Sequence, residues 1–304
     1  MKQIGRPIHA RFLAIDEGRQ VLSLIDTDSP KALWSLDLKE FPLARSMQPL
    51  TADRTLIGFD RGFFELENSS GTVLHVVNKW QGVTAVWRQN NLTLVTGTNL
   101  EGIEGVVVLA VDPQGEVCGK SHRAGDYVRL MQPGNAESYL LCTNDHILET
   151  STDLQTIRSF RADGFLHAWK AQRLADGATL VSAGYGAFMA RFAPDGSLEK
   201  TFGRAADLPP EIAPFFYASF QFRSNGMLLV ANWQGHGPDN GEKGRQLLEF
   251  APAGQFIGSW SSPALISSLQ GMLVLDASPF LPASSCILSS DVYLVAQSRC
   301  VEQR

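Results

Sequence analysis

The chain has 304 residues, of which 44% are hydrophobic, and a formal net charge of -5 at pH 7. This composition supports a large buried core, and the scattered Lys and Arg form no basic stripe, which argues against nucleic acid as a partner. No apolar region follows the charges at the N-terminus and no apolar run is long enough to span a membrane, so we expect a soluble cytoplasmic protein without a membrane partner.

Three short apolar segments open the chain, at residues 11–15, 20–25 and 32–36. Their lengths and alternation predict strands B, C and D of a four-stranded antiparallel blade, in which strand A is the innermost. No strand A precedes them in the sequence. We expect residues 266–275, near the other end of the chain, to supply it.

A glutamine recurs in one local frame along the chain, on a short apolar segment that a turn joins to a second one. The spacing averages about 44 residues, which is the size of one propeller blade. We expect these amides to be structural clips to a neighbouring backbone, and a ring of amides lining the channel is the alternative. One of the six positions holds tryptophan, and the set is Gln48, Trp87, Gln132, Gln172, Gln221 and Gln270.

The unit around Gln172 shows the blade pattern most clearly. Residues 193–196, Ala-Pro-Asp-Gly, form a predicted turn between strands C and D, because Pro presets φ and Gly accepts a positive φ. We expect strands A to D of this unit at residues 166–174, 179–183, 188–192 and 198–202.

These units predict an all-β fold, a six-bladed β-propeller of four-stranded antiparallel blades closed by pairing of the N- and C-terminal strands. Such closure removes the open sheet edges that would invite aggregation. We expect a single propeller domain over residues 1–304. The tail at 277–304 contains a further apolar segment at 292–296, so its packing and a count of seven blades are left open.

The segment from Ala171 to Val181, followed by residues 193–198, resembles blades of the arylsulfotransferase-like and quinoprotein-like bacterial propellers. This likeness lies at the level of the repeat. Aryl sulfotransferases are similar six-bladed proteins that use a histidine nucleophile in the central channel. The histidine that falls at a channel-facing strand start in this sequence is His167.

In such a fold the A-to-B and C-to-D turns lie on one face, and the B-to-C and D-to-A connections lie on the other. The first set is short and built of Asp-Gly, Asn-Gly and Pro-x-Gly turns, whereas the second set holds the long polar loops. We therefore expect function on the second face. Its loops at 232–244 and 99–105 are candidate pocket walls, or else wide hairpins whose Gly and Asn satisfy turn geometry.

His236 and His167 are the predicted acid/base residues. His236, Asp239 and Glu242 share a glycine-rich loop, which supports metal ligands poorly, so we predict no metal site, and no motif specifies a cofactor. Cationic side chains on this face suit a carboxylated, sulfated or phosphorylated ligand, and an ordinary surface of mixed charge is the alternative. The predicted ligand-binding residues are Arg45, Lys79, Trp80, Asp126, Arg129, Lys170, Tyr217, Trp233 and Asp239.

Two functions are left open. The first is a propeller that binds a small polar or anionic ligand, such as a sugar acid, at the central channel. If it is catalytic, we expect a lyase or hydrolase on a carbohydrate-like substrate. The second is a noncatalytic scaffold that binds another protein, with Trp80, Trp233 and Tyr217 as aromatic anchors.

Overall fold

The fold is a six-bladed β-propeller, seen in a computed structural model that describes residues 4–135 and 137–275. Each blade is a four-stranded antiparallel sheet with consecutive strands A to D from the inside outward. Blade 1 consists of β24 (Leu269–Val274), β1 (Arg11–Asp16), β2 (Val21–Asp26) and β3 (Trp34–Asp37). Blade 2 consists of β4 (Ser46–Thr51), β5 (Arg54–Phe59), β6 (Gly62–Glu67) and β7 (Val73–Asn78). Blade 3 consists of β8 (Val83–Gln89), β9 (Leu92–Thr98), β10 (Val106–Val111) and β11 (Val117–Arg123).

The second half of the ring has the same order of strands. The described residues include three short 3-10 helices. Leu100–Gly102 lies in the B-to-C loop of blade 3, and Ala205–Asp207 and Pro210–Ile212 lie in the connection from blade 5 to blade 6. Blade 4 consists of β12 (Met131–Asn135), β13 (Ser138–Cys142), β14 (Ile147–Ser151) and β15 (Thr156–Phe160). Blade 5 consists of β16 (Ala171–Arg173), β17 (Thr179–Ser182), β18 (Met189–Phe192) and β19 (Leu198–Phe202). Blade 6 consists of β20 (Phe216–Phe222), β21 (Leu228–Trp233), β22 (Leu247–Phe250) and β23 (Phe256–Trp260).

The ring closes as predicted, because the C-terminal strand β24 is the inner strand of blade 1. It pairs antiparallel with β1, with Phe12 opposite Val274. The carboxylate of Asp16 supports the junction by accepting hydrogen bonds from the backbone N–H groups of Ser267 (2.7 Å) and Ser268 (2.9 Å). Both ends of the described chain thus contribute strands to blade 1, and this pairing closes the ring.

The core lies between the blades. Strands B and C are buried on both faces because a neighbouring blade covers each side, as in β1 and β13. The outer strands are far more exposed, as in β15. This explains why the inner segments are nearly continuous apolar runs, while outer strands such as β11 and β19 carry charged residues.

Two of the recurrent glutamines are clips to the next blade, as expected. The side chain of Gln48 donates to the carbonyl of Arg88 (3.0 Å) and accepts from its N–H (2.6 Å). Gln221 makes the same pair of bonds with Val274, at 3.3 Å and 2.9 Å. Each amide therefore satisfies backbone groups on the free edge of the neighbouring inner strand. The side chain of Gln172 makes no hydrogen bond within the part of the chain that the structure describes.

A second set of contacts joins the blades on the outside. In all six junctions a side chain on or directly after strand D donates a hydrogen bond to a carbonyl in the C-to-D turn of the next blade. These pairs are Trp34 to Asn68 (2.9 Å), Lys79 to Gly115 (2.8 Å), Arg123 to Leu154 (3.4 Å), Arg158 to Pro194, Lys200 to Ala253 (3.2 Å) and Trp260 to Thr27 (3.3 Å). We call these six pairs the outer clasps.

The strand boundaries predicted around Gln172 are close for B, C and D, but strand A is shorter than expected. It covers only Ala171–Arg173, because His167 takes a positive φ of 55° that interrupts the extended backbone before it. The tail at 277–304 lies outside the described residues. Within the described part of the chain, no helix is long and apolar enough to cross a membrane.

Candidate ligand site at the channel mouth

Several side chains from the B-to-C and D-to-A connections meet at the mouth of the central channel. Arg45 stands directly before β4, Arg129 before β12 and His167 before β16, so each is positioned by the start of an inner strand. Tyr185 follows β17 in a B-to-C connection. The blade topology thus places residues far apart in sequence on one rim, on the face predicted for function.

Arg129 and His167 form the central contact of this rim. Nη2 of Arg129 lies 2.7 Å from Nδ1 of His167. A guanidinium can only donate, so Nδ1 accepts and the neutral imidazole carries its proton on Nε2. Desolvation, together with the charge of Arg129, lowers the pKa of His167. His167 is therefore a neutral hydrogen-bond donor through Nε2.

Arg45 adds a second positive charge beside Arg129. The guanidinium of Arg129 lies 4.7 Å from the ring centroid of Tyr127, and Arg45 lies near both residues. Burial lowers the pKa of Arg45, and the charge of Arg129 lowers it further while that of Asp60 opposes this. Neither arginine forms an ion pair within residues 4–135 and 137–275, and the buried Nε of Arg129 has no hydrogen-bond partner there. The rim thus holds two guanidinium groups without a bonded carboxylate.

An aromatic wall continues from His167 into blade 6. The rings of His167 and Tyr185 are 5.4 Å apart, and Tyr185 packs edge-on against Phe215 (5.6 Å) and Phe216 (4.8 Å). Trp233 lies behind them, 6.0 Å from Phe215 and buried. Edge-to-face packing holds these rings in fixed orientations, so the wall is rigid.

His236 ends the wall on the other side of Trp233, with ring centroids 4.7 Å apart. Its Nδ1 lies 2.8 Å from Oε1 of Glu17, and the other oxygen of Glu17 accepts from Nε1 of Trp233 at 3.3 Å. A carboxylate only accepts, so Nδ1 of His236 carries the proton and Nε2 is its basic nitrogen. The two predicted histidines therefore hold a proton on different ring nitrogens, Nε2 in His167 and Nδ1 in His236, and the rings of Tyr185 and Trp233 lie between them.

Two predicted ligand residues have structural contacts instead. Tyr217 is fully buried, and its hydroxyl donates to the carbonyl of Gly203 at 2.6 Å. Lys170 donates through Nζ to the carbonyl of Phe220 at 2.7 Å, a bond that links blades 5 and 6. Desolvation lowers the pKa of this ammonium group to about 8. The expectation that Tyr217 faces the channel is wrong, because the strand places its side chain in the blade interface.

Four other predicted residues have different surroundings. Lys79 and Trp80 line an open cavity of about 1040 Å³ beside blade 3, together with Asn99. Lys79 is the donor of an outer clasp and also forms an ion pair with Glu116 (2.7 Å), so the carboxylate of Glu116 balances its charge. Asp126 pairs with Arg123, and Asp239 is exposed in the long loop of blade 6.

The rim also contains residues that the sequence did not single out, namely Glu17, Tyr127 and Phe215. All three stand in B-to-C or D-to-A connections, so the rule that identified this face would have included them. Within the described residues, no group of three His, Cys, Asp or Glu side chains could hold a metal ion.

Comparisons with known proteins support the fold and no more. No protein-family model matches the chain, and no curated protein matches it. The repeat-level resemblance to arylsulfotransferase-like and quinoprotein-like propellers therefore stays a prediction.

Solved structures do resemble the chain in shape. A protein of unknown function from Bacteroides caccae superposes with a TM-score of 0.73 at 18% identity, over 88% of this chain and 99% of that one. A functionally unknown protein from Desulfotomaculum acetoxidans gives 0.54 at 11% identity, over 88% and 100%. A catalytically inactive variant of virginiamycin B lyase from Staphylococcus aureus, solved with quinupristin, gives 0.56 at 9% identity, over 91% and 96%.

Proposed function

We propose that the channel mouth binds a small anionic ligand. The observation that carries this proposal is the guanidinium of Arg129, which contacts His167 and Tyr127, forms no ion pair within the described residues and has a buried Nε without a hydrogen-bond partner there, with Arg45 on the same rim. Like charges held together are unfavourable unless an anion joins them, and a guanidinium fork matches the geometry of a carboxylate, phosphate or sulfate group. Nε2–H of His167 adds a neutral donor beside them.

A lyase or hydrolase reaction on the bound ligand is the catalytic form of this proposal. It needs a base, and His236 is the candidate because Glu17 orients its ring through Nδ1, so that Nε2 is the atom that would exchange a proton with a ligand. His167 suits the complementary role of donor to a developing negative charge. The lyase among the structurally similar propellers supports this only as an analogy of fold. A cytoplasmic location stays part of the proposal.

Thermal unfolding with a panel of anions tests the binding proposal. We expect gluconate, glucuronate, benzoate, phosphate or sulfate to raise the melting temperature by mass action, and less so at high ionic strength. Arg129→Gln removes the bond to His167 and one of the two charges, so we expect it to weaken the binding anion about 10- to 100-fold.

Arg54→Gln is the matched control. Arg54 is exposed at the start of β5, by an A-to-B turn on the opposite face. It removes the same charge from the protein, so a nonspecific effect of net charge would weaken binding in both variants equally. That result, or a panel in which no anion raises the melting temperature, contradicts the proposal.

A protein-interaction scaffold is the second candidate. Of its predicted anchors, Trp233 and Tyr217 are buried, but Tyr185 and Phe215 are exposed on the same face, at 37% and 46%. Exposed aromatic residues beside a polar rim are typical of binding surfaces. Co-purification of one partner that Phe215→Ala releases, with no response to any anion, would favour the scaffold.

A further inference from the structure

We infer that the anion bound at the channel mouth carries a planar aromatic group, so that the ligand is an aromatic acid, for which aromatic carboxylates are the probes. This inference rests on the proposed anion site and specifies the part of the ligand that the arginines do not contact. The observation behind it is the exposed aromatic wall that begins at His167, the residue bonded to Arg129.

The cationic and aromatic parts of the rim are continuous. His167 contacts both, because its Nδ1 accepts from Arg129 while its ring packs against Tyr185. A carboxylate between Arg45 and Arg129 therefore lies one side chain away from the wall. A group attached to that carboxylate extends over Tyr185 and towards Phe215.

Three large apolar side chains are exposed close together in sequence or contact at this part of the rim. Leu166, Tyr185 and Phe215 are 52%, 37% and 46% exposed, and the backbone N–H of Tyr185 is held by the carbonyl of Leu166 at 2.8 Å. Apolar side chains that stay exposed next to fixed charges gain stability when a ligand covers them. The exposed ring faces suit stacking or edge contacts with a flat ring.

The same chemistry separates an aromatic acid from a sugar acid. A sugar ring presents hydroxyl groups, and burying each of them without a hydrogen-bond partner costs free energy. Leu166 and Phe215 have no polar side-chain atoms to serve as partners, and Tyr185 offers only its hydroxyl. An aromatic ring makes no such demand, so the wall favours a planar hydrocarbon on the carboxylate.

Isothermal titration calorimetry with a series of monocarboxylates tests the inference. The probes are 2-naphthoate, benzoate, cyclohexanecarboxylate and gluconate, which share one charge and differ in the attached group. We expect 2-naphthoate to bind most tightly and gluconate at least about tenfold more weakly, with benzoate stronger than cyclohexanecarboxylate.

Phe215→Ala identifies the wall as the contact. Because Phe215 is exposed, this variant keeps the fold, and we expect it to weaken 2-naphthoate about five- to tenfold while leaving gluconate unchanged. Ile157→Ala is the matched control, since Ile157 is 53% exposed on the outer strand β15. It should bind every probe like the unaltered protein.

The outcomes separate the two proposals. Equal binding of all four carboxylates, or tighter binding of gluconate, overturns the aromatic ligand and leaves the anion site in place. Equal loss of 2-naphthoate in Phe215→Ala and Ile157→Ala also overturns it. If no carboxylate binds at all, the anion site itself fails, and the aromatic ligand fails with it.

Discussion

Arg129 donates a hydrogen bond to Nδ1 of His167 over 2.7 Å, which joins the starts of the inner strands of blades 4 and 5 across the channel mouth. The bond fixes the imidazole in the neutral form with Nε2 protonated. It therefore couples the charge state of the histidine to the position of the guanidinium. We therefore expect an anion that binds Arg129 to change both.

Ligand binding should consequently depend on pH. The pKa of His167 in the free protein lies below its ordinary value of 6.5, and a bound anion should raise it by favouring the imidazolium. Between the two pKa values the complex binds more protons than the free protein, so affinity should increase as the pH falls through that range. Calorimetry at several pH values and an NMR titration of the His167 ring measure both effects.

His167→Gln is the control for this pH dependence. It removes the titrating group and retains a side chain that can hydrogen-bond to Arg129. We expect its affinity to vary less with pH than that of the unaltered protein. An identical pH dependence in the variant would assign the effect to another group.

The glutamine clips should contribute measurably to stability. Gln48→Ala and Gln221→Ala each remove two hydrogen bonds to a neighbouring inner strand, so we expect a loss of about 1–3 kcal/mol in the free energy of unfolding. Gln172→Ala is the matched comparison and should cost much less, because its amide has no such bonds within the described residues. Chemical denaturation of the three variants measures the difference, and equal losses would contradict the role of the clips.

The closure of the ring should depend on Asp16. Asp16→Ala leaves the N–H groups of Ser267 and Ser268 without their acceptor, and we expect a loss of about 2–4 kcal/mol. Asp16→Asn keeps one acceptor oxygen at the same place. Because burial raises the pKa of Asp16 and thus opposes its charge, the neutral variant should lose less. A denaturant midpoint of Asp16→Ala equal to that of the unaltered protein would show that the carboxylate does not support closure.

The fold was largely predictable from the sequence, because its signals are local. The glutamines at 48, 132, 172, 221 and 270 each lie on an inner strand. The position of Gln270 in this series allowed the last strand to be assigned to the first blade. Trp87 also lies on an inner strand, β8. The outer clasps were not predictable, since Trp, Lys and Arg donors share no sequence frame and become equivalent only in three dimensions.

The site was predictable only in part. Arg45, Arg129 and His167 lie on one rim because each stands in a D-to-A connection, within four residues of the start of an inner strand. Tyr217 was assigned to the wrong side because alternate residues of a strand point to opposite faces. Lys79 was misplaced because a long side chain reaches the next blade's turn, a contact that depends on how neighbouring blades pack.

The central claim is that an anion binds between Arg45 and Arg129, and NMR of the arginine side chains tests it most directly. Titration with benzoate should shift the Nε–Hε signals of Arg45 and Arg129 along one common saturation curve, while the signal of Arg54 stays in place. Signals of Arg45 and Arg129 that do not saturate, or that move no more than that of Arg54, would contradict the claim.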